Sequence, residues 1–364
     1  MKNKLVFEKI KEGSTEVFVF RPKKTSKGPG TKEGIPFYNP SMELNRDLSI
    51  VFGQYLANSK KNPSILDGLA ASGIRGVRLA NEIEGDIKIA INDWNADCFD
   101  LIQKNIKNLN LENVDAYNNN LNKLLSDKKF DYIDIDPFGS PANFVESAIK
   151  NVKNNGVISC TATDTATLSG VYPKACFRRY GAVPFHSIVM KEVGIRILLG
   201  FIAEVAGEYD KEIEPLLSYV TDHYFRVYVK VKKDTSNGTN LEVIKKGNLV
   251  GLEKADKDIG PLWIGKLQDK KTIGELRTTL FKKKLGTKNQ LWKLLDSLEE
   301  EADAPCFFYT SESIASKLKS SVPKSKEIFS KIKKDGFEVY KTHFSQTGFK
   351  TNAPITVIEK VFKP

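Results

Sequence analysis

Three carboxylates crowd the stretch Phe130-Asp131-Tyr132-Ile133-Asp134-Ile135-Asp136-Pro137-Phe138-Gly139-Ser140-Pro141. Tyr132, Ile133 and Ile135 supply the aromatic and β-branched bulk of a buried strand. Pro137 stops that strand, because proline has no N–H for a ladder and a fixed φ. Asp136 therefore stands at the carboxyl end of a strand, where open α/β sheets hold their ligands. Phe138 offers a flat apolar face one residue past the turn. A carboxylate beside a rigid proline and an aromatic ring suits a flat nitrogen heterocycle, stacked by the ring and hydrogen-bonded by the acid. The plainer reading of the same pair is a strand-ending turn with an N-cap aspartate. Three acids so close together argue further: at least one points inward, and a buried carboxylate needs a partner.

The elements around this stretch predict a nucleotide-binding sheet. Residues 5–10 and 16–20 read as a hairpin around Gly13-Ser14. A lysine-rich loop follows (Lys23, Lys24, Lys27, Lys32), which beside a site can hold phosphates. Pro36-Phe37-Tyr38-Asn39-Pro40 fences an aromatic pair, and Ser41 is expected to cap a helix reaching about Asn58. Leu44, Leu48, Val51, Phe52 and Tyr55 form its core stripe, with Asn45 and Arg46 off it. Ser64-Ile65-Leu66-Asp67 is a strand, and Gly68-Leu69-Ala70-Ala71-Ser72-Gly73-Ile74-Arg75-Gly76 a small-residue turn into a helix. Such a turn lets a ligand approach the backbone and the helix start. It is not G-x-G-x-x-G, and Asp67 would repel a pyrophosphate, so a ligand with no phosphate and a positive end is favoured over NAD. A second strand ends in Asn92-Asp93, where an acid accepts ribose hydroxyls. Val114–Tyr117 is a third strand, and Asn118-Asn119-Asn120-Leu121-Asn122 follows it within reach of an adenine edge. After the Asp136 strand come a fifth (Asn155–Asp164), a long helix (Lys191–Gly207) and a closing antiparallel edge around Tyr219 and Tyr224–Val231. This is a Rossmann-like α/β methyltransferase sheet.

The charge is uneven. Residues 1–230 are almost neutral and most of the net charge of +11 lies in 231–364. That division predicts a catalytic domain over 1–235 and a smaller, basic, polyanion-binding domain over 236–364. The second domain reads as helix (Asn289–Glu301), strand (Phe307–Tyr309), two short helices (Ser313–Leu318, Pro323–Lys334) and a strand pair from Phe337. That order is winged-helix-like and α+β, with lysines along one side. Four cysteines lie far apart without a C-x-x-C, so neither disulfides nor a structural metal are expected. The longest apolar run, Ile195–Ala206, is interrupted by Arg196, Gly200 and Glu204, so no membrane span is expected, and the start of the chain has no signal-peptide pattern. The expected setting is the cytoplasm and the expected state a monomer.

An adenosine-type site without phosphate ligation, next to Asp-Pro-Phe, suits S-adenosylmethionine and methylation of an exocyclic nitrogen. Such an amine is conjugated with its ring and is a poor nucleophile. Asp136 can hydrogen-bond the N–H, take the proton and hold the lone pair in place. In a duplex the target base must be extruded first. From the residues alone the base remains open: guanine, or the exocyclic amine of adenine or cytosine in RNA or DNA. A tRNA-binding protein that has lost activity, and a nicotinamide oxidoreductase, are the readings from other classes.

Several groups of residues, taken together, narrow the choice. Asn39-Pro40-x-Met42 with Asn45-Arg46-Asp47, Asp67 to Gly76, Asn92-Asp93, Asp134-x-Asp136-Pro137-Phe138-Gly139-Ser140-Pro141, Thr161-Ala162-Thr163-Asp164 and Asp222-His223-Tyr224-Phe225-Arg226 resemble the tRNA (guanine(26)-N2)-dimethyltransferases. So do Thr342-His343-Phe344 and Thr347–Thr351 near the end. The resemblance implies transfer of one or two methyl groups from S-adenosylmethionine to N2 of guanosine 26 in tRNA. It implies that Arg46 holds the methionine carboxylate, that Asp67 and its loop (Gly68, Ala70, Gly73, Arg75) hold the methionine end, and that Asp93 holds the ribose. Asn120 and Leu121 fall to the adenine, Asp136 to acid/base catalysis, and Phe37, Pro137 and Phe138 to the guanine. Lys23, Lys24 and His343 are assigned to the RNA. Two departures stand out. Asparagines replace the acid that the family tends to carry after the third strand, and residues 236–262 lack the cysteine cluster of some members, so no zinc is expected.

Overall fold

The computed structural model describes residues 7–20, 38–221, 223–233 and 240–363. Phe37, Lys23 and Lys24 lie outside them. A hairpin of β1 (Phe7–Glu12) and β2 (Thr15–Phe20) opens the chain, followed by a 3-10 turn at Pro40–Met42 and α1 (Glu43–Ser59). The parallel part of the sheet is built by β3 (Ser64–Asp67), α2 (Ile74–Glu82), β4 (Lys88–Asn92), α3 (Ala96–Asn108), β5 (Val114–Tyr117), α4 (Leu121–Asp127), β6 (Phe130–Ile135), α5 (Ala142–Asn151) and β7 (Val152–Ala162). Two short helices, α6 (Thr165–Leu168) and α7 (Pro173–Tyr180), precede the long α8 (Met190–Gly207), β8 (Glu212–Val220) and β9 (Phe225–Lys232).

These strands form one seven-stranded sheet in the order β5-β4-β3-β6-β7-β9-β8. The chain reverses direction from β3 between its two neighbours β4 and β6, so the carboxyl ends of β3, β4 and β6 open one cleft. The expected antiparallel edge takes a definite order: β9 runs antiparallel to β7 and β8 on either side, and β8, which carries Tyr219, is outermost. The reason is burial. Phe225, Val227, Tyr228 and Val229 are apolar on both faces, as an interior strand requires. The helix expected from Ser41 starts differently. Asn39 caps the 3-10 turn by accepting from Ser41 N–H at 3.0 Å, and α1 begins after it.

Alternation along β6 sorts the core. Tyr132 joins Phe52, Ile65, Ile91 and Tyr228 on one face, under α1 and α2. Ile133 and Ile135 join Val145, Ile158 and Val229 on the other, under α5 and α8. Asp134 shares the Tyr132 side and is fully buried.

Past residue 240 come β10 (Leu241–Ile244), β11 (Leu249–Val250), β12 (Glu253–Lys254) and β13 (Ile259–Trp263), then α9 (Lys270–Lys282) and α10 (Lys288–Glu300). Leu276, Leu280, Leu291, Leu295 and Leu298 of α9 and α10 pack into the same core as α1. Among the described residues a separate core is built by β14 (Tyr309–Thr310), α11 (Ser311–Leu318), α12 (Ser325–Lys334), β15 (Val339–Lys341), β16 (Gly348–Thr351) and α13 (Ile355–Phe362), with Leu252 packed against it. The lysine-rich composition thus starts well before the independent core does. Lys350 of β16 is buried and reaches Glu192 of α8 at 2.9 Å, beside Arg196 at 2.8 Å. That buried pairing fastens this last unit to the sheet domain. Among the described residues no helix is long and apolar enough to cross a membrane.

Candidate active site

A cavity of ≈ 640 Å³ opens at the carboxyl ends of β3, β4 and β6. Arg46, Asp67, Ala70, Arg75, Asp93, Asn120, Leu121, Asp136, Pro137 and Phe138, all picked out from sequence, line it. Gly68 and Gly73 shape it from beneath. A Cβ on Gly68 would stand 2.9 Å from the Asp134 carbonyl oxygen and from Leu121, and Gly73 has φ +75 with no room beside Ile102. Both positions therefore require glycine for the turn to fold.

One end of the cleft is a carboxylate site. Asp67 is buried and accepts from Gly76 N–H at 2.9 Å. Burial pushes its carboxyl up to about 7, the Asp134 charge adding to this and Arg75 opposing it. A carboxyl so placed favours a cationic ligand, whose charge would replace the lost water. Asp93 accepts from Ala71 N–H at 2.8 Å and Asn95 N–H at 2.9 Å, which aims it across the Ala70-Ala71-Ser72 turn. Its carboxyl too is raised by burial. The asparagines after β5 serve the turn itself. Asn120 caps α4 through Asn122 and Lys123 N–H, Asn118 donates to the Asp93 carbonyl at 2.9 Å, and Asn92 donates to Asn119 at 3.1 Å.

The other end holds Asp136, with 18% of its side chain exposed, and Phe138, 54% exposed. Arg75 bonds Asp136 Oδ2 through Nη2 and is itself fixed by Asn45 (2.7 Å) and Ser49 (2.6 Å). Beneath them Asp134 takes Arg226 at 2.5 Å, Tyr132 Oη at 2.8 Å and Ser159 Oγ at 3.0 Å. Burial would raise the Asp134 carboxyl, but Arg226 and Arg75 hold it down to about 2. The three acids of the opening stretch thus take three roles. Asp131 pairs with Lys60 and Lys153 at the strand start, Asp134 is the buried counter-ion, and Asp136 faces the cleft.

Arg46 lines the cleft, but its Nε and Nη2 both donate to Glu12 at 2.6 Å and Nη1 to the Asn39 carbonyl at 3.1 Å. Three of its five N–H donors are therefore committed to the hairpin. His343 is corrected: it is away from the cleft, its side chain 4% exposed, bonded to Glu301 and accepting from Val220 N–H at 3.3 Å. A ring held on both nitrogens in the protein interior is not presented to RNA. Conversely, Trp94 lines the cleft beside Asp93 with 71% of its surface exposed, and no pattern had marked it. Its place directly after a strand-ending acid was the available signal. Thr163 and His223 also reach the cleft.

The model of the N2,N2-dimethylguanosine tRNA methyltransferase family matches residues 19–250 and 249–363. The chain belongs to this family. Within it, the tRNA (guanine(26)-N(2))-dimethyltransferase of Methanobrevibacter smithii is 38% identical, covering 90% of this chain and 91% of its own. That of Pyrococcus furiosus is 37% identical over 97% of this chain and 98% of its own. The structure of Trm1 from Pyrococcus horikoshii with S-adenosyl-L-methionine superposes with a TM-score of 0.86 at 33% identity, covering 98% of this chain and all of that one. Family membership thus extends over both the sheet and the basic C-terminal unit, and the fold is that of the class I methyltransferases.

The carboxylate end fits such a cofactor on the protein's own chemistry. Two buried acids, a glycine-bounded turn and an exposed indole suit a molecule with an ammonium, a ribose and an adenine, and no phosphate. Among the described residues no cluster of three or more His, Cys, Asp or Glu could hold a metal ion.

Proposed function

We propose that this chain transfers one or two methyl groups from S-adenosylmethionine to N2 of guanosine 26 in tRNA, as a cytoplasmic monomer, with Asp136 as the acid/base. The observation that carries the reading is the juxtaposition of a cation-seeking carboxylate site with an Asp-Pro-Phe base site in one cleft. When bound, the cofactor supplies a sulfonium methyl group. Asp67 holds its ammonium, Asp93 its ribose hydroxyls, and the remaining N–H groups of Arg46 its carboxylate. Asn120, Leu121 and Trp94 surround its adenine. Asp136 keeps Oδ2 on Arg75 and turns Oδ1 to the amine, accepting one N–H and taking up the proton the amine sheds. Pro137 and Phe138 form one wall for the extruded guanine, and Phe37 is proposed for the other. Lys23, Lys24 and the basic region 236–364 attract the RNA backbone.

Incubation with unmodified tRNA and labelled cofactor, followed by nucleoside mass spectrometry, tests this reading. Methylated N2-guanosine is expected at one position. A methylated adenosine would instead support the alternative of another exocyclic amine, and absence of transfer to any tRNA would remove the reading.

Two further outcomes follow from the geometry. Cofactor affinity should depend on pH through Asp67. A protonated Asp67 has no charge for an ammonium and must lose its proton first, so affinity falls by up to about tenfold for each pH unit below 7 and is level above it. Calorimetric titration between pH 5.5 and 8 would show this, and Asp67→Asn should flatten the curve at weak affinity. A flat curve for the unaltered protein would dismiss Asp67 as the ammonium site. The second concerns Arg75, a positioning residue. Arg75→Lys keeps the charge but loses the fork that joins Asn45, Ser49 and Asp136. Turnover should drop by about 10–100-fold with cofactor affinity nearly constant, because misplacement of a reacting group by an ångström has that order of cost. Unchanged turnover would separate Arg75 from the orientation of Asp136.

A further inference from the structure

Beyond Thr163 the chain leaves the sheet and builds α7 against the base end of the cleft. The inner side of α7 is apolar: Cys176 and Tyr180 are buried, and the Tyr180 ring meets Phe201 edge-on at 5.7 Å. Its outer side is not what a solvated helix face usually carries. Tyr172 at the N-cap is 59% exposed and Phe177 62% exposed, with Val171 beside them at 51%. Between and after them stand Lys174, Arg178 and Arg179, all exposed. Arg179 is used, donating to Asp164 at 2.8 Å, whereas Lys174 and Arg178 have no carboxylate partner among the described residues. Cations alternating with exposed aromatic rings form a surface for a polyanion that also shows flat faces.

Hydrogen bonds from the buried side of α7 tie the helix to the cleft. Tyr180 Oη donates to Asp164 Oδ1 at 2.8 Å and also bonds Ser140, a residue of the cleft lining. Thr163, next to Asp164, exchanges two bonds with Gly139, at 2.7 and 2.9 Å, and Gly139 follows Phe138. Phe177 lies one helical turn before Tyr180. Tyr172 lies about 7.5 Å further along the axis at about 1.5 Å per residue.

From this arrangement we infer that the outer face of α7, with Tyr172, docks the tRNA strand on either side of the extruded guanosine. Lys174 and Arg178 bind backbone phosphates, and Tyr172 and Phe177 stack on the neighbouring bases. The inference rests on the proposed tRNA reading. It adds a contact on the sheet domain to the RNA attraction proposed for Lys23, Lys24 and the basic C-terminal region.

Two double variants test it, Lys174→Glu with Arg178→Glu and Tyr172→Ala with Phe177→Ala, assayed on the full chain with unmodified tRNA. The charge variant should raise KM for tRNA at least about tenfold and lower the slope of log KM against log salt by about 1–2, since each phosphate contact contributes about 0.7–0.9. The aromatic variant should raise KM by about 5–50-fold with the salt slope unchanged. In both, kcat at saturating tRNA and cofactor affinity should remain within about twofold. Wild-type KM and salt slope in both variants, with the unaltered protein methylating tRNA, would overturn the docking surface and leave the function standing. A parallel loss of cofactor affinity would make α7 a structural support and equally overturn it. Cofactor binding by the unaltered protein without transfer to tRNA would overturn both.

Discussion

Asp136→Asn is expected to lower the turnover number for guanosine methylation by about 10³-fold while cofactor affinity changes less than about threefold. Asparagine has the same shape and can still sit beside Pro137, so the cleft keeps its walls. What it loses is the negative charge and the ability to take a proton, and positioned general bases contribute about 10²–10⁴-fold. The amide also presents an N–H₂ where the amine presents N–H, so the lone pair that orients the nucleophile is lost with the charge. Arg75, fixed by Asn45 and Ser49, remains in place because those bonds do not involve Asp136. Single-turnover rates at saturating tRNA, with cofactor affinity measured separately, check this. A loss below about fivefold would show that the protein needs no carboxylate at this position and that cleft shape alone places the amine.

The second large effect is on stability. Arg226→Met should destabilise the fold by about 3–5 kcal/mol, the usual consequence of leaving one member of a buried ion pair behind. Asp134 and Arg226 are both fully buried, so neither can turn to water. Arg226 donates further to Thr161 at 2.7 Å and to Ser159 at 3.1 Å, and its guanidinium lies 4.7 Å from the Tyr228 ring centroid. Removing it strips partners from β6, β7 and β9 together. Urea unfolding measures the loss, and Asp134→Asn in the same chain should return part of it, since the orphaned charge is then gone. The pH dependence has a fixed sign. The Asp134 carboxyl is near 2 in the fold and near 3.8 when free, so its contribution is complete above about pH 4 and is lost as pH falls toward 2. A destabilisation under about 1 kcal/mol would mean that Arg75 alone suffices as counter-ion.

Much of this molecule was legible in the chain. The strand that ends at Asp136-Pro137, the small-residue turn after Asp67 and the acid after β4 are local signals. Bulk, proline and glycine act on their own neighbours, and the carboxyl ends of successive parallel strands must share one edge. That is why the cleft-lining residues named from sequence came together. Other features depend on what lies opposite in space. Nothing local shows that Arg46 is held by Glu12, 34 positions away, or that His343 is buried against Glu301. Both are ordinary side chains until the fold supplies a partner. The interior place of β9 was equally hidden, because strand order is a matter of which edge remains free after α8 has crossed the sheet. Composition placed the basic half at residue 236, whereas packing placed the independent core after residue 308, since charge lies on surfaces and cores are divided by contact. The sequence by itself determined the chemistry at the strand ends. The tertiary structure decided which arginine serves Asp136 and which acid is buried beneath it. Those choices are set by burial and pairing across the fold, which no short stretch of chain can specify.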